Sequence, residues 1–370
     1  MGDVPEGDAA AHRPGDPRGA APLLRDLDRR LRRHVLQLRH EDHVPALRLG
    51  LGADRRAAAD QRHRHRHLRG RGRPDGHERA RPEPPGEARA RLSSPVEPRL
   101  PPWWLDEAGE VDEAPPLEGD AEADVAIVGG GYTGLWTALA VREREPSARV
   151  VVLEAETCGA GPSGRNGGFC HGYWASLANL REVLGDGAAL EVARAAERII
   201  PAVRALEGDV WLREGGILKV SAAPAQDEAV DRAVEAARAL GAEEEAVPLS
   251  RDELAARIRS PVFRRGVFFR EGATVQPARL VRALRAAVLR VAMLHERSPV
   301  VRVERGVVTT PRGRVRAPEI VVAVNAWMTG WRPLRGRVTN FGSYVVLTEP
   351  TPELLERIGW TGGEAVIDGR

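Results

Sequence analysis

Lysine is nearly missing from this 370-residue chain: of its 55 basic side chains only Lys219 is a lysine, and the rest are arginine. That bias is the mark of a GC-rich coding region. Cysteine is scarce too, with Cys158 and Cys170 alone, too few for a disulfide-stapled secreted scaffold. No run of about 18 apolar residues exists, which excludes a membrane-spanning helix. The N-terminus lacks the basic-then-apolar segment of a secretory signal. The body holds neither a zinc-spaced Cys/His cluster nor a Ser-His-Asp arrangement. What remains is the expectation of a soluble, cytoplasmic protein whose two cysteines are free, buried thiols, with a bond between them or a covalent link to a bound group as the alternatives.

The net charge of +2 conceals a split. Residues 1–100 carry 22 arginines against 15 acidic residues, a balance of +7, whereas residues 101–370 carry 33 basic and 38 acidic residues, a balance of −5. The first segment also holds eight of the ten histidines, including the run Gln61-Arg-His63-Arg-His65-Arg-His67. Arginines could bind nucleic acid and histidines a metal. Arg, Pro, Gly, Ala and His dominate the segment, however, and give no core pattern beyond one short helix at Leu23, Leu27, Leu31 and Val35. The expectation for 1–100 is therefore a low-complexity basic arm, disordered or spurious, with no nucleic-acid partner and no metal.

The chemistry-bearing stretch lies between Ala123 and Asn166. Val125 to Val128 form a short apolar run suited to a strand buried on both faces. Gly129, Gly131 and Gly134 follow in G-x-G-x-x-G spacing: a tight turn, a close approach for a pyrophosphate, and a close helix–strand contact. The amides near Tyr132 and Thr133 then sit at a helix N-terminus, where an anion is favoured. Leu135, Ala138, Leu139 and Val141 continue the helix, and Val150 to Glu154 form a second strand. Glu154 stands 20 residues after Gly134, at the spacing of a carboxylate that accepts from ribose hydroxyls. It would repel a 2′-phosphate, which argues against NADP. The unit reads as an adenine-dinucleotide site.

The loop that follows, Cys158-Gly-Ala-Gly161-Pro-Ser163-Gly-Arg165-Asn166-Gly167-Gly168-Phe, resembles the Ser-Gly-Arg-Asn-Gly-Gly loop of FAD-dependent amine oxidoreductases. These form the D-amino-acid oxidase, glycine oxidase and sarcosine oxidase superfamily, and the loop with Gly-Tyr-Thr-Gly-Leu-Trp-Thr-Ala is most similar to the gamma-glutamylputrescine oxidoreductase-like branch. The resemblance spans residues 103–370. It departs at Pro162, where the family has a small residue; proline removes a backbone donor. The residues also make sense by themselves: Ser163 can donate to a phosphate, Arg165 can balance its charge, and Gly167 lets a flavin ring lie against backbone.

The resemblance implies FAD, an α/β fold, and a Rossmann-like FAD-binding domain (121–205 and 272–335) interleaved with a smaller α+β substrate domain (206–271 and 336–370). Residues 101–120 are a lead-in whose Trp103-Trp104 pair anchors it. Helices are predicted over 176–184, 189–206, 225–240, 250–258 (capped by Ser250) and 277–288. Strands are predicted over 209–212 paired with 216–221, 263–269, a meander at 300–303, 306–309 and 315–317, a buried strand over 319–327, and another over 342–350. The resemblance places the adenine beside Val300, which is otherwise simply core. It further implies a segment beyond Arg370 that closes the substrate sheet and returns a helix to the flavin, so the chain is expected to be C-terminally incomplete.

The implied reaction is oxidation of the C–N bond of an amine or amino acid by hydride transfer to flavin, with hydrolysis of the imine and oxygen as acceptor. A noncatalytic flavin-binding fragment is the alternative. No catalytic base stands out. His171 and Tyr344 are candidates, His171 being equally readable as a histidine satisfied by backbone.

Overall fold

The computed structural model describes residues 102–330 and 337–368. The basic arm, with the helix expected at Leu23, Leu27, Leu31 and Val35, lies outside the described residues. The strands are β1 (Gly119–Glu122), β2 (Val125–Val128), β3 (Val150–Leu153), β4 (Phe169–Cys170), β5 (Ile217–Ser221), β6 (Ala246–Leu249), β7 (Arg265–Phe269), β8 (Ala273–Thr274), β9 (Met293–His295), β10 (Arg302–Glu304), β11 (Val307–Thr309), β12 (Gly313–Arg316), β13 (Glu319–Val322) and β14 (Ala365–Asp368). The helices are α1 (Trp103–Glu107), α2 (Tyr132–Arg144), α3 (Leu177–Leu184), α4 (Asp186–Ala196), α5 (Ile199–Arg204), α6 (Asp227–Ala239), α7 (Arg251–Arg257), α8 (Pro277–Leu289) and α9 (Pro352–Ile358). The architecture is α/β.

A parallel sheet in the order β13-β2-β3-β9 forms the centre of the dinucleotide unit. All four residues of β3 are buried, as a strand covered on both faces requires. Alternate side chains go to opposite faces. Ile127, Val150 and Val152 meet Leu135 and Ala138 of α2 and Leu280, Val281, Leu284 and Val288 of α8. Ala126, Val128, Val151 and Leu153 instead meet Val300, Val308, Val315 and Ala317 around the meander. That meander, β10-β11-β12, gains β1 as a parallel partner of β12.

A second mixed sheet runs β14-β5-β7-β6. On one face Ile217, Val267 and Phe269 meet Val230, Ala233 and Ala237 of α6, with Trp174 and Leu177. The other face sets Leu218 and Val220 against Leu254 and Ile258 at α7. Helix α7 begins as expected: Ser250 Oγ accepts from the Glu253 amide, and Glu253 reaches back to the Ser250 amide. Helix α8 starts at Pro277, with the Gln276 side chain accepting from the Arg279 amide.

Four expectations are corrected. Residues 209–212 form no strand: Trp211 has φ 56° and its N–H donates to Asp209 Oδ1 at 2.9 Å, a local turn that ends extended backbone. β5 pairs with β7 and β14 instead. The helix expected over 189–206 breaks into α4 and α5, because Pro201 has no N–H for the Glu197 carbonyl four residues earlier. The strand expected over 319–327 stops at Val322, at the sheet edge and only half-buried, before a short 3₁₀ segment, Asn325–Gly330. Residues 342–350 are exposed and irregular, with no described strand beside them to complete a ladder.

One buried ion pair ties these parts together. Glu296, fully buried, accepts from Arg285 of α8 (3.0 and 2.7 Å) and from the amides of Ala114 (2.6 Å) and Cys158 (2.7 Å). Arg285 also donates to the Asp112 carbonyl. Burial alone would raise the Glu296 carboxyl, but the Arg285 bonds and the two amides outweigh it and hold it below the usual carboxylate value. Glu296→Ala should therefore cost about 3–5 kcal/mol in denaturant unfolding, since it strands a buried cation. Arg285→Met with Glu296→Leu should cost distinctly less. Because the folded pKa lies below the unfolded one, the wild-type carboxylate stabilises fully above the ordinary carboxylate pKa. That contribution is lost as pH falls through the folded value, and the double variant should not show that loss.

Candidate functional site: a dinucleotide cradle

The cradle begins where β2 turns into α2. Gly129 has φ +112°, and a Cβ there would stand 2.5 Å from the Ala323 carbonyl oxygen, so no other residue fits the turn. A Cβ on Gly134 would collide with the Gly129 carbonyl, which is how α2 comes close to the strand. Helix α2 makes its first internal bond at Leu135 N–H to Gly131 O, at 3.0 Å. Helix geometry therefore leaves the amides of Tyr132, Thr133 and Gly134 without intrahelical acceptors.

The Cys158–Gly168 loop folds over this helix end. Ser163 Oγ accepts from the Tyr132 amide at 3.0 Å, so its own O–H is free to donate outward. Asn166 holds the loop in shape: its Nδ2 donates to Ser163 O at 2.9 Å and its Oδ1 accepts from the Gly168 amide at 2.8 Å. The Tyr132 hydroxyl donates to the Pro277 carbonyl at 3.0 Å, tying the start of α2 to the start of α8, and burial pushes it up to about 12. Gly167 lies next to the clasped Gly168, and Arg165 is exposed on the same loop.

Glu154 sits one residue beyond β3. Its Oε2 accepts from the Gly130 amide at 2.6 Å and its Oε1 from the Glu156 amide at 3.0 Å. Burial raises its carboxyl above the usual range, against the opposing effect of those amides. Val300 is buried beneath Val128 and Leu153 and makes no hydrogen bond to another described residue. Gly129, Gly131, Tyr132, Thr133, Gly134, Glu154, Ser163, Asn166 and Gly167 are thus brought around one helix end.

The family model for FAD dependent oxidoreductases, DAO, matches residues 124–370. The chain belongs to this FAD-dependent family. Among curated proteins it is 28% identical over 291 residues to the probable oxidoreductase OrdL of Rhizobium meliloti strain 1021, covering 75% of this chain and 66% of that protein. It is 60% identical over 45 residues to gamma-glutamylputrescine oxidoreductase of Escherichia coli K12, covering 12% of this chain and 10% of that protein. The chain thus spans less than two thirds of the length of these relatives. Among solved structures, glycine oxidase from Geobacillus kaustophilus aligns with a TM-score of 0.48 at 23% identity, over 56% of this chain and 57% of that one.

The two weak catalytic candidates part company. His171 directly follows β4, and its Nδ1 lies 2.7 Å from the Gly172 carbonyl; a carbonyl only accepts, so Nδ1 carries the proton. Tyr344 is 95% exposed on the irregular 342–350 segment and is not brought to the cradle. Cys158 and Cys170 are free and buried, and burial raises both thiols, Cys170 to about 11.

Two acidic residues escaped the motif reading. One is Glu296, whose partners lie far away in sequence. The other is Glu271, whose carboxylate accepts from the Gly172 amide at 2.7 and 2.8 Å. It stands between Arg270 and Gly272 in no motif, and so gave no signal. Burial pushes it up to about 7, against the Gly172 amide and with the charges of Glu197 and Glu245. A folded pKa above the unfolded one means that the folded protein binds the extra proton, so this residue's contribution to stability falls as pH rises from the ordinary carboxylate range to about 7. Glu271→Gln keeps the acceptor and should flatten that part of the stability–pH curve, as read by unfolding at a series of pH values; an unchanged slope would count against the assignment.

Proposed function

We propose that the chain's cradle holds FAD for the oxidation of the C–N bond of a small amine or amino acid. The observation that carries the reading is the helix end at Gly131–Gly134, open to an anion and bordered by a Ser163 hydroxyl free to donate. A Cβ on Gly131 would stand 2.9 Å from Ser163 Oγ, so the space between turn and loop fits a pyrophosphate only because glycine is there. Thr133, Gly134 and Ser163 would hold the phosphates, Glu154 the ribose, and the buried, unbonded backbone of Val300 the adenine edge. Gly167 and its neighbours leave room for the ring system, and Arg165 balances charge at the rim.

When bound, flavin supplies a two-electron acceptor for hydride from the carbon beside nitrogen, leaving an imine for water to hydrolyse and oxygen as the final oxidant. The protein's share is to orient the amine and control its protonation. The 45-residue match to gamma-glutamylputrescine oxidoreductase supports the gamma-glutamylputrescine oxidoreductase-like branch, and the substrate domain is assigned to 206–271 and 336–370. Free buried cysteines support the cytoplasm as the place of action.

The purified protein should be yellow and release FAD on denaturation. Glu154→Ala should weaken FAD by about 1.5–3 kcal/mol, the worth of hydrogen bonds to a charged group, in a flavin-fluorescence titration. As ribose hydroxyls bond best to the ionised carboxylate, wild-type affinity should also fall as pH drops through the raised Glu154 value, and Glu154→Ala should lose this dependence. Colourless protein that takes up NADP but not FAD would refute the cofactor assignment. Peroxide release is to be followed on polyamines, gamma-glutamylated amines, sarcosine and glycine. FAD retained with no turnover on any of these would favour a noncatalytic flavin-holding role instead.

A further inference from the structure

The single lysine of the chain stands at a cavity of about 320 Å³ between α3, α6 and the β5–β14 edge, lined among others by His171, Asn179, Lys219, Arg232, Ile367 and Asp368. That volume is at the small end of the range for small-molecule sites, roughly 300–1,000 Å³. Lys219 lies mid-strand in β5 between buried Leu218 and Val220, in register with Ile367 of β14. It makes no ion pair with a described carboxylate, whereas Arg232 at the rim is engaged by Glu182 (3.1 Å) and Asn179 (3.3 Å), and Asp368 has a partner of its own. Burial lowers the Lys219 ammonium, and the nearby Arg232 charge lowers it further.

A half-buried ammonium without a counter-charge is costly to retain unless something supplies one. The direct partners of Lys219 across the sheet, Ile367 and Val267, are apolar, and the acids nearby, Glu182 and Asp368, are committed elsewhere. His171 joins this wall three residues after Gly168, so the cavity adjoins the end of the loop that closes the cradle.

We propose that this cavity is an anion subsite in which Lys219 pairs with a small carboxylate, and that the substrate is an amine bearing such a carboxylate away from its reacting nitrogen. The assignment of the anion to the substrate rests on the amine-oxidation reading above. Binding itself involves no covalent step.

The test is calorimetric titration of the full chain with glutarate, with inorganic phosphate and with n-butylamine, recording flavin content for every preparation. Glutarate should bind, n-butylamine should not, Lys219→Met should weaken glutarate by about tenfold or more, and Lys219→Arg should retain most of the affinity. Flavin content should match wild type in both variants, and without ligand Lys219→Met should melt no lower than wild type, since it removes an unpaired buried charge. Absence of glutarate binding, equal binding by Lys219→Met, or Lys219-dependent binding of phosphate but not glutarate would overturn the proposal. Protein that takes up no added FAD yet binds glutarate through Lys219 would sink the cofactor reading while upholding the subsite.

Discussion

The Arg285–Glu296 pair is the constraint on which the other parts of the dinucleotide unit hang. Its four bonds to Glu296 come from three separate pieces of chain: the lead-in at Ala114, the cofactor loop at Cys158 and helix α8 at Arg285. A fully buried carboxylate can persist only if its charge is balanced and its lone pairs are filled. Filling them fixes the start of the loop relative to the helix packed beneath it. The lead-in is held by the same chemistry at the start of α8, where Glu107 pairs with Arg279 at 2.7 Å and Gln276 donates to the Trp104 carbonyl.

Glu154 and Glu296 show how environment divides one residue type into two roles. Both are withdrawn from solvent and both accept from backbone amides. Only Glu296 faces a guanidinium, and its carboxyl is held low. Glu154 has amides alone and is raised. A carboxylate already paired with a cation has little left to offer a ligand, whereas one held by amides gains from further donors. The first is a joint, whereas the second keeps its carboxyl uncommitted to any cation, even though they stand only one strand apart in the sheet.

Much of the cradle was legible because its logic is local. Val125–Val128, the three glycines, the α2 pattern and Val150–Glu154 each declare their conformation through their own chemistry, and the structure places them as read. The cap at Ser250 and the start of α8 at Pro277 were readable for the same reason. The misses share a different cause. β9 is three residues long with one fully buried side chain, Leu294, and only its partner β3 makes it a strand. β1 exists because β12 offers it an edge. Residues 209–212 alternate like a strand, but an aspartate two residues before Trp211 captures its amide and turns the backbone. Tertiary partners and side-chain capture are not written in periodicity.

The same distinction explains why the cofactor side of the site is sharper than the substrate side. A pyrophosphate is met by backbone amides and glycine space, which a short contiguous motif can specify. A small-molecule cavity is lined by single side chains from distant elements, as Lys219 on β5, His171 after β4 and Arg232 on α6 converge on one cavity from positions up to 61 residues apart. No spacing rule connects them, and each alone reads as surface or core. Only the sheet register, with Lys219 opposite Ile367, turns an isolated lysine into a wall of a cavity. Recognition of the constant part of the chemistry is therefore carried by sequence-local geometry, and recognition of its variable part by the fold.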